Sequence, residues 1–185
     1  ALRRWNTTRA WRLEQIRSAH GAVRSTGSGR RAVAQQLNYA YALLLAAEFQ
    51  GFCRDMHTEA IVCLVRVVTP ASLRVMVRER LSESRLLDRG NASPASLGSD
   101  FGRLELELWD SLTNHRPGMN RQQARLAELN AWRNAIAHHD FTKLGRTNLR
   151  LRDVRAYHSA CRATAVTLDA VVAAHLNALV GAPPW

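Results

Sequence analysis

The chain has 185 residues, of which 46% are apolar and 22% charged, so it can bury one core without disulfides or metal. Its net charge of +11 at pH 7 excludes an acidic, solvating chain and favours partners that carry phosphate. Of its 26 basic residues only Lys143 is lysine. Arginine suits bidentate phosphate contacts, although a GC-rich genome would produce the same bias.

The cysteines and apolar runs bear on cofactors and location. Cys53, Cys63 and Cys161 are an odd number without zinc-ligand spacing, so we expect reduced thiols, no metal site and no cofactor. The basic N-terminus lacks the apolar core of a signal peptide. The longest apolar runs, around 39–47 and 61–68, are too short to cross a bilayer. We therefore expect a soluble, cytoplasmic protein without membrane contact.

The first half of the chain has helical periodicity throughout. We expect an arginine-rich first helix over about 7–24, with eight arginines and one acid in the first 31 residues. A break at 27–29 separates it from a long apolar helix over about 31–68, bent near Gly51. Thr69 and Pro70 predict the N-cap and first residue of a third helix that ends near residue 88.

The second half is also predicted to be mostly helical. Residues 89–100 have the composition of a loop, and 101–112 are assigned to a helix although Leu104, Leu106 and Leu108 alternate with glutamates as in a strand. A turn at Pro117 and Gly118 precedes a helix over about 121–138. A linker through Gly145 leads to a last helix over about 149–180, whose predicted inward residues are Val154, Tyr157, Cys161, Leu168, Val172 and Leu179. Together these elements predict a single all-α domain over 1–185, an antiparallel bundle of about five to six helices.

The predicted helix 121–138 carries a group of polar side chains beside its core face. At about 100° per residue, its core face consists of Leu126, Leu129, Trp132 and Ile136. Arg133 lies at the edge of that face, and Ala137, Asn130, Asn134 and His138 follow in this order away from the core. Arg133 and His138 are about 140° apart. Asn134 and His138 are i, i+4 neighbours, and the small Ala137 leaves room for a ligand.

Arg133, Asn134 and His138 have the chemistry for RNA cleavage without a metal. Histidine can accept or donate a proton near neutral pH, and arginine can stabilise charge on phosphoryl oxygens. The reaction needs two proton-transfer groups, so we expect a two-fold dimer that brings two such helices together. The spacing alone is uninformative, because an arginine five residues before a histidine is expected about once in this composition and occurs once. Residues His138 and His139 would also stabilise a helix C-terminus without any catalytic role.

Residues 129–139, LNAWRNAIAHH, resemble the signature of the HEPN superfamily (higher eukaryotes and prokaryotes nucleotide-binding domain). That signature is an arginine, usually a polar residue, a few more residues and a histidine, near the end of a late helix. The stretch 43–52, LLLAAEFQGF, also resembles an early helix of prokaryotic members.

The resemblance implies a dimeric, metal-independent endoribonuclease with its site at the dimer interface. Arg133 would bind and polarise the phosphate, Asn134 would orient groups, and His138 would transfer protons, leaving 2′,3′-cyclic phosphate and 5′-hydroxyl ends. Such proteins often act as toxins paired with an antitoxin or as phage-defence effectors. In one subgroup a tyrosine two residues after the histidine is modified by a nucleotidyltransferase antitoxin, and Asp140 stands there in this chain.

Three further residues are candidate accessory groups. Glu48 interrupts the long apolar helix and either faces the site or, alternatively, faces solvent. Asn130 lies on the polar side of the motif helix, and His139 is a second imidazole next to His138. Two alternatives to a ribonuclease stay open. One is a non-catalytic module that binds RNA or a nucleotide through the same polar residues, and the other is a partner-regulated interaction domain that leaves His138 unused.

Overall fold

The computed structural model describes residues 1–23 and 30–185, and every regular element in these ranges is a helix. The all-α class is therefore confirmed. The predicted break at 27–29 lies outside the described residues. The α-helices in chain order are α1 (Leu2–Arg4), α2 (Ala10–Val23), α3 (Arg30–Arg66), α4 (Arg74–Ser82), α5 (Leu86–Arg89), α6 (Pro94–Gly102), α7 (Leu108–His115), α8 (Met119–His138) and α9 (Leu151–Val180).

Helix α3 lies at the centre of the bundle and packs against α2, α8 and α9, while α8 also packs against α9. Neighbours in sequence pack antiparallel, as predicted: the α8–α9 connection folds back so that the Arg146 guanidinium lies over the Trp132 ring. Helices α3 and α9 run in the same direction. Tyr41 meets His158 near the start of both, and Trp185 lies beside the last turn of α3.

The first helix begins earlier than predicted because its N-terminal turns are fastened to α3. A π-helical turn, Trp5–Arg9, joins α1 to α2, and the buried Trp5 ring packs against Phe49 and Phe52. Arg9 then reaches across α3. Its Nη1 donates to Glu48 at 2.7 Å and its Nη2 donates to Asp55 at 2.8 Å.

Gly51 makes room for this arginine. Helix α3 continues through Gly51 without interruption. A Cβ atom at this position would lie 2.5 Å from Nη1 of Arg9, which is closer than real Cβ contacts come. The absence of a side chain therefore lets the Arg9 guanidinium lie directly on the helix backbone.

Two predicted helix boundaries are wrong, and both lie where a possible N-cap residue is followed by a proline. Pro70 is extended and precedes a short 3-10 turn instead of starting α4, which begins at Arg74 and ends at Ser82. By contrast, the stretch predicted as a loop contains α6. There the Ser93 hydroxyl caps the helix by accepting from Ser96 N, and Pro94 is the first helical residue. The same N-cap and proline pattern thus occurs at both places and starts an α-helix at only one.

Residues 104–107 form neither the strand that their alternating pattern suggests nor part of the helix predicted over 101–112. Leu104, Leu106 and Leu108 are buried; Leu104 and Leu106 lie in a turn between α6 and α7 in which Glu105 has φ +58°, and Leu108 is the first residue of α7. The predicted core face of α9 is buried apart from Leu179, which is 50% exposed. Leu179 lies in the last turn of α9.

Helix α9 is long and apolar enough to cross a membrane by length and composition, with a mean hydropathy of 1.5 over 18 residues. The apolar residues of α9 are interrupted by single polar ones, so this helix does not stand out as one of the longest apolar runs in the sequence. In this structure α9 packs against α3 and α8 and carries the largest set of buried residues outside α3. A core helix satisfies the same criterion of length and composition.

Candidate active site on helix α8

The end of α8 is fixed in place by aromatic packing. Trp132 is fully buried, with the rings of Tyr39 and Phe141 against it and the Arg146 guanidinium 5.4 Å from its centroid. The helix stops at His139, which adopts the left-handed conformation with φ +51° and donates its backbone N–H to the carbonyls of the preceding turn. The last turn of α8 therefore has one defined position on the surface.

Arg133, Asn134 and His138 lie on this last stretch of α8. Arg133 is half-buried, whereas Asn134 and His138 are exposed. The Oδ1 atom of Asn134 accepts from Nη1 of Arg133 at 3.2 Å and from Nδ2 of Asn91 at 2.7 Å. With Oδ1 held by two donors, the amide Nδ2 of Asn134 faces away from both, and no described residue accepts a hydrogen bond from it.

The two charged or titratable members of the group are open to a ligand. Within the described ranges, Arg133 forms no ion pair with an acid, and His138 forms no hydrogen bond. The surface thus offers a guanidinium, an amide N–H pair and an imidazole, which is a donor set suited to phosphate oxygens. Arg133 lies at the edge of the core and His138 is exposed, as expected, but Asn130, which was predicted to lie between Ala137 and Asn134 on the polar side, is buried.

A short segment between α5 and α6 contacts Asn134 through a hydrogen bond. No pattern in the sequence predicts this contact. Asn91 belongs to this segment, 43 residues from Asn134 in the chain. Ala92, the residue after Asn91, is buried, and its carbonyl accepts from Nδ2 of Asn130 at 3.0 Å. The Gln50 side chain donates to the carbonyls of Leu87 and Gly90. Side chains of α3 and α8 therefore hold the segment at both ends.

Asp100 binds the start of α5, the short helix that directly precedes this segment. It is fully buried, and its two carboxylate oxygens accept from the backbone N–H groups of Leu86 and Leu87 at 2.9 and 2.8 Å. Its carbonyl accepts from Nε2 of the buried His57 at 2.8 Å. Burial, followed by the charges of Arg85 and Arg103, lowers the pKa of His57. A neutral His57 thus donates at Nε2 and links α3 to the support of the site.

Asp140 forms a turn directly after the motif. Its carboxylate accepts from the hydroxyl and the backbone N–H of Thr142. These bonds are the main reason why the pKa of Asp140 lies below its usual range, and His138 acts in the same direction. At the position where one subgroup of the superfamily carries a tyrosine, this chain has an ionised turn-forming aspartate.

The three accessory candidates have different surroundings. Glu48 is 5% exposed, which corrects the solvent-facing alternative, and its carboxylate binds Arg9 and Arg12 of the N-terminal helix. It lies about 200° around α3 from Gln50, which contacts the supporting segment, so Glu48 faces away from the site. Asn130 is buried, not on the exposed polar side, because the segment at Ala92 covers it. His139 is exposed and forms the C-cap of α8.

Comparison with known proteins places the chain in a family. The family described as RiboL-PSP-HEPN has a model that matches residues 7–174, nearly the whole chain. The chain belongs to this HEPN family. The superfamily resemblance of residues 129–139 is thereby confirmed. No curated protein and no solved structure gave a significant match.

Proposed function

We propose that this HEPN protein is a metal-independent endoribonuclease whose catalytic residues are Arg133, Asn134 and His138. The observation that carries the proposal is the fixed amide of Asn134. Arg133 and Asn91 donate to its Oδ1, which leaves its two N–H groups for a ligand on the exposed last stretch of α8 that also carries His138.

The proposed chemistry assigns one role to each side chain. A His138 imidazole accepts the proton of the ribose 2′-hydroxyl, whose oxygen attacks the adjacent phosphorus. Arg133 and Asn134 donate to the phosphoryl oxygens as negative charge develops. A second imidazole protonates the departing 5′-oxygen. The products carry a 2′,3′-cyclic phosphate and a 5′-hydroxyl.

The direct test is RNA cleavage in the presence of EDTA. We expect the wild-type protein to cleave a structured RNA and the His138→Ala variant to lose at least a hundredfold of that rate, as is usual for loss of a general acid or base. The matched control is His115→Ala, which removes an exposed histidine from the end of α7. New 5′ ends should accept phosphate from polynucleotide kinase without prior phosphatase treatment.

Each other outcome of this test has a meaning. Binding of RNA by both proteins without cleavage would refute the enzyme and favour a non-catalytic RNA-binding module. Neither binding nor cleavage would favour a partner-regulated interaction domain. Cleavage that persists in His138→Ala would refute the assignment of His138.

We also propose that the second imidazole is His138 of another copy of the chain, in a two-fold dimer. His138 and Asn134 are exposed at the end of α8, which supports an approach by a second α8. Subunits of wild-type protein and of an equal amount of His138→Ala can be mixed until they exchange at random. If both copies supply a histidine to one site, about a quarter of the activity of the same total amount of wild-type protein should remain. Independent sites would leave about half, and that result would refute the composite site.

The proposed biological role is that of a toxin or phage-defence effector under the control of an antitoxin or another regulator. Induced expression in a bacterial host should arrest growth, and His138→Ala should remove the arrest at equal protein level. Arrest by both proteins would separate toxicity from RNA cleavage and refute this role.

A further inference from the structure

A polar cavity, separate from the candidate site on α8, lies between α2, α3 and α9. It is on the side of α3 opposite to the aromatic contacts of Tyr39. It measures about 290 Å³ and is open to solvent. Tyr41 forms its floor, and Tyr39, about 200° around the helix, packs toward α8 instead. The full lining is Arg17, Tyr41, Arg155, His158, Ser159 and Arg162.

The cavity collects more positive than negative charge, since three arginines line it and Glu14 is the one acid paired with any of them in the described residues. Arg155, His158, Ser159 and Arg162 are at positions i, i+3, i+4 and i+7 of α9 and so share one face. In the described part of the chain, neither Arg155 nor Arg162 forms an ion pair with an acid. Arg17 pairs with Glu14 on its own helix at 3.0 Å, but both are about half exposed and such a pair is weak. Three guanidinium groups therefore converge on one small space.

His158 is held by the floor of the cavity. The Tyr41 hydroxyl lies 2.8 Å from its Nδ1, and Tyr41 itself is 1% exposed. Burial, with the charges of Arg17 and Arg162, lowers the pKa of His158, and burial raises that of Tyr41. With both groups neutral, the phenol donates to Nδ1, and Nε2 carries the proton. The ring then adds one fixed N–H donor to the arginines and the Ser159 hydroxyl.

We propose that this cavity is a binding site for phosphate groups, separate from the candidate active site. Three arginines, a hydroxyl and an imidazole N–H are all hydrogen-bond donors, and their number and positive charge match the several oxygens and larger negative charge of a phosphate better than a single carboxylate. The volume accommodates one phosphate with part of the attached sugar. Such a phosphate belongs either to an RNA strand or to a free nucleotide. The site does not depend on whether His138 cleaves RNA.

The first experiment follows the ring protons of His158 by NMR. His158→Gln identifies the signal, and the wild-type protein is then titrated with inorganic phosphate, AMP and a 2′-O-methyl RNA 12-mer that cannot be cleaved through the 2′-hydroxyl. We expect a saturable shift of the His158 signal. A shift with phosphate and AMP indicates a nucleotide source, whereas a shift with the 12-mer alone indicates a strand. No shift with any of the three would refute the site.

The second experiment measures binding of the 12-mer by fluorescence anisotropy at several salt concentrations. Arg155→Gln/Arg162→Gln should raise the dissociation constant about tenfold if the ligand is RNA, and should reduce the salt slope by about 1.4 for two lost contacts. The control is Arg116→Gln/Arg121→Gln, which removes the same charge from two exposed residues, one in the α7–α8 connection and one in the first turn of α8. Should both double variants lose the same affinity, overall charge alone would explain binding and the strand source would be refuted. In the AMP case, only the cavity variant should lose AMP binding.

Discussion

Replacing Gly51 with alanine should destabilise the protein, because the added Cβ would occupy the place of the Arg9 guanidinium. That Cβ would lie 2.5 Å from Nη1 and 2.9 Å from Cζ of Arg9. The far end of a flexible side chain usually moves aside at little cost. This one is fastened to Glu48 and Asp55 by ion pairs of 2.7 and 2.8 Å, and the Glu48 side chain is 6% exposed.

The magnitude follows from two opposing contributions. Alanine is more favourable than glycine inside a helix by about 1 kcal/mol. Separating a buried ion pair costs about 3–5 kcal/mol, because it leaves a charge without a partner. We therefore expect Gly51→Ala to lower the free energy of unfolding by about 2–4 kcal/mol. For a chain of this size, a loss of 3 kcal/mol corresponds to a fall in Tm of about 6–12 °C.

The assay is urea unfolding monitored by circular dichroism, with two comparisons. Gly21→Ala is the matched control, since Gly21 lies in α2 with nothing within 4 Å of an added Cβ, and it should be stabilising. Arg9→Ala removes the obstructing side chain. In that background Gly51→Ala should also become neutral or stabilising. A cost of Gly51→Ala that persists without Arg9 would refute the reasoning.

Three other predictions follow from the site and the buried histidines. Asn91→Ala removes a hydrogen bond from Asn134 and should lower kcat for RNA cleavage up to about tenfold, with little change in KM. His139→Gly relieves the left-handed backbone at the end of α8 and should raise the free energy of unfolding by about 0.5–1 kcal/mol in urea titration. Burial lowers the pKa of His57 and His158, so the unfolded chain binds protons that the folded one does not. Stability should therefore be complete above pH of about 6.5 and fall as the pH drops below it, measured by unfolding at pH 5.5 and 7.5.

Each of these predictions has an outcome that contradicts it. For Asn91→Ala, the control is Asn120→Ala at the start of α8. Equal kcat values for the two variants would show that the hydrogen bond from Asn91 to Asn134 does not contribute to cleavage. A His139→Gly variant that is less stable would mean that the imidazole makes a contact worth more than the strain. Equal or greater stability at pH 5.5 would show that the two histidines are protonated in the folded protein.

The long helices and the motif could be predicted from local pattern. In α8, the core face and the outward position of His138 follow from 3.6 residues per turn. The burial of Asn130 could not be predicted, because it depends on Ala92, a residue 38 positions away whose carbonyl it binds. Asn91 was missed for the same reason, since nothing in its neighbours in sequence indicates that it reaches Asn134.

Charged residues show the same limit of local reasoning. An arginine-rich helix is typical of a solvated or phosphate-binding face, yet Arg9 and Arg12 bind Glu48. Helical periodicity could not distinguish these outcomes, because a buried ion pair needs an acid on another helix. Position in the fold, not residue type, decides which arginines remain available for phosphate.

If the protein is the ribonuclease proposed above, the anchoring of residues 86–92 has a consequence for how it selects RNA. Asp100, Gln50 and Asn130 each bind the backbone of this segment, so the surface that holds Asn134 is ordered before any ligand arrives. Binding then costs the protein little conformational entropy, and the RNA must supply the adjustment. A rigid duplex adapts poorly, whereas an unpaired loop can splay its bases and turn one phosphate toward the helix. Selectivity would then reside in the local pliability of the RNA and would favour hairpin loops over stems.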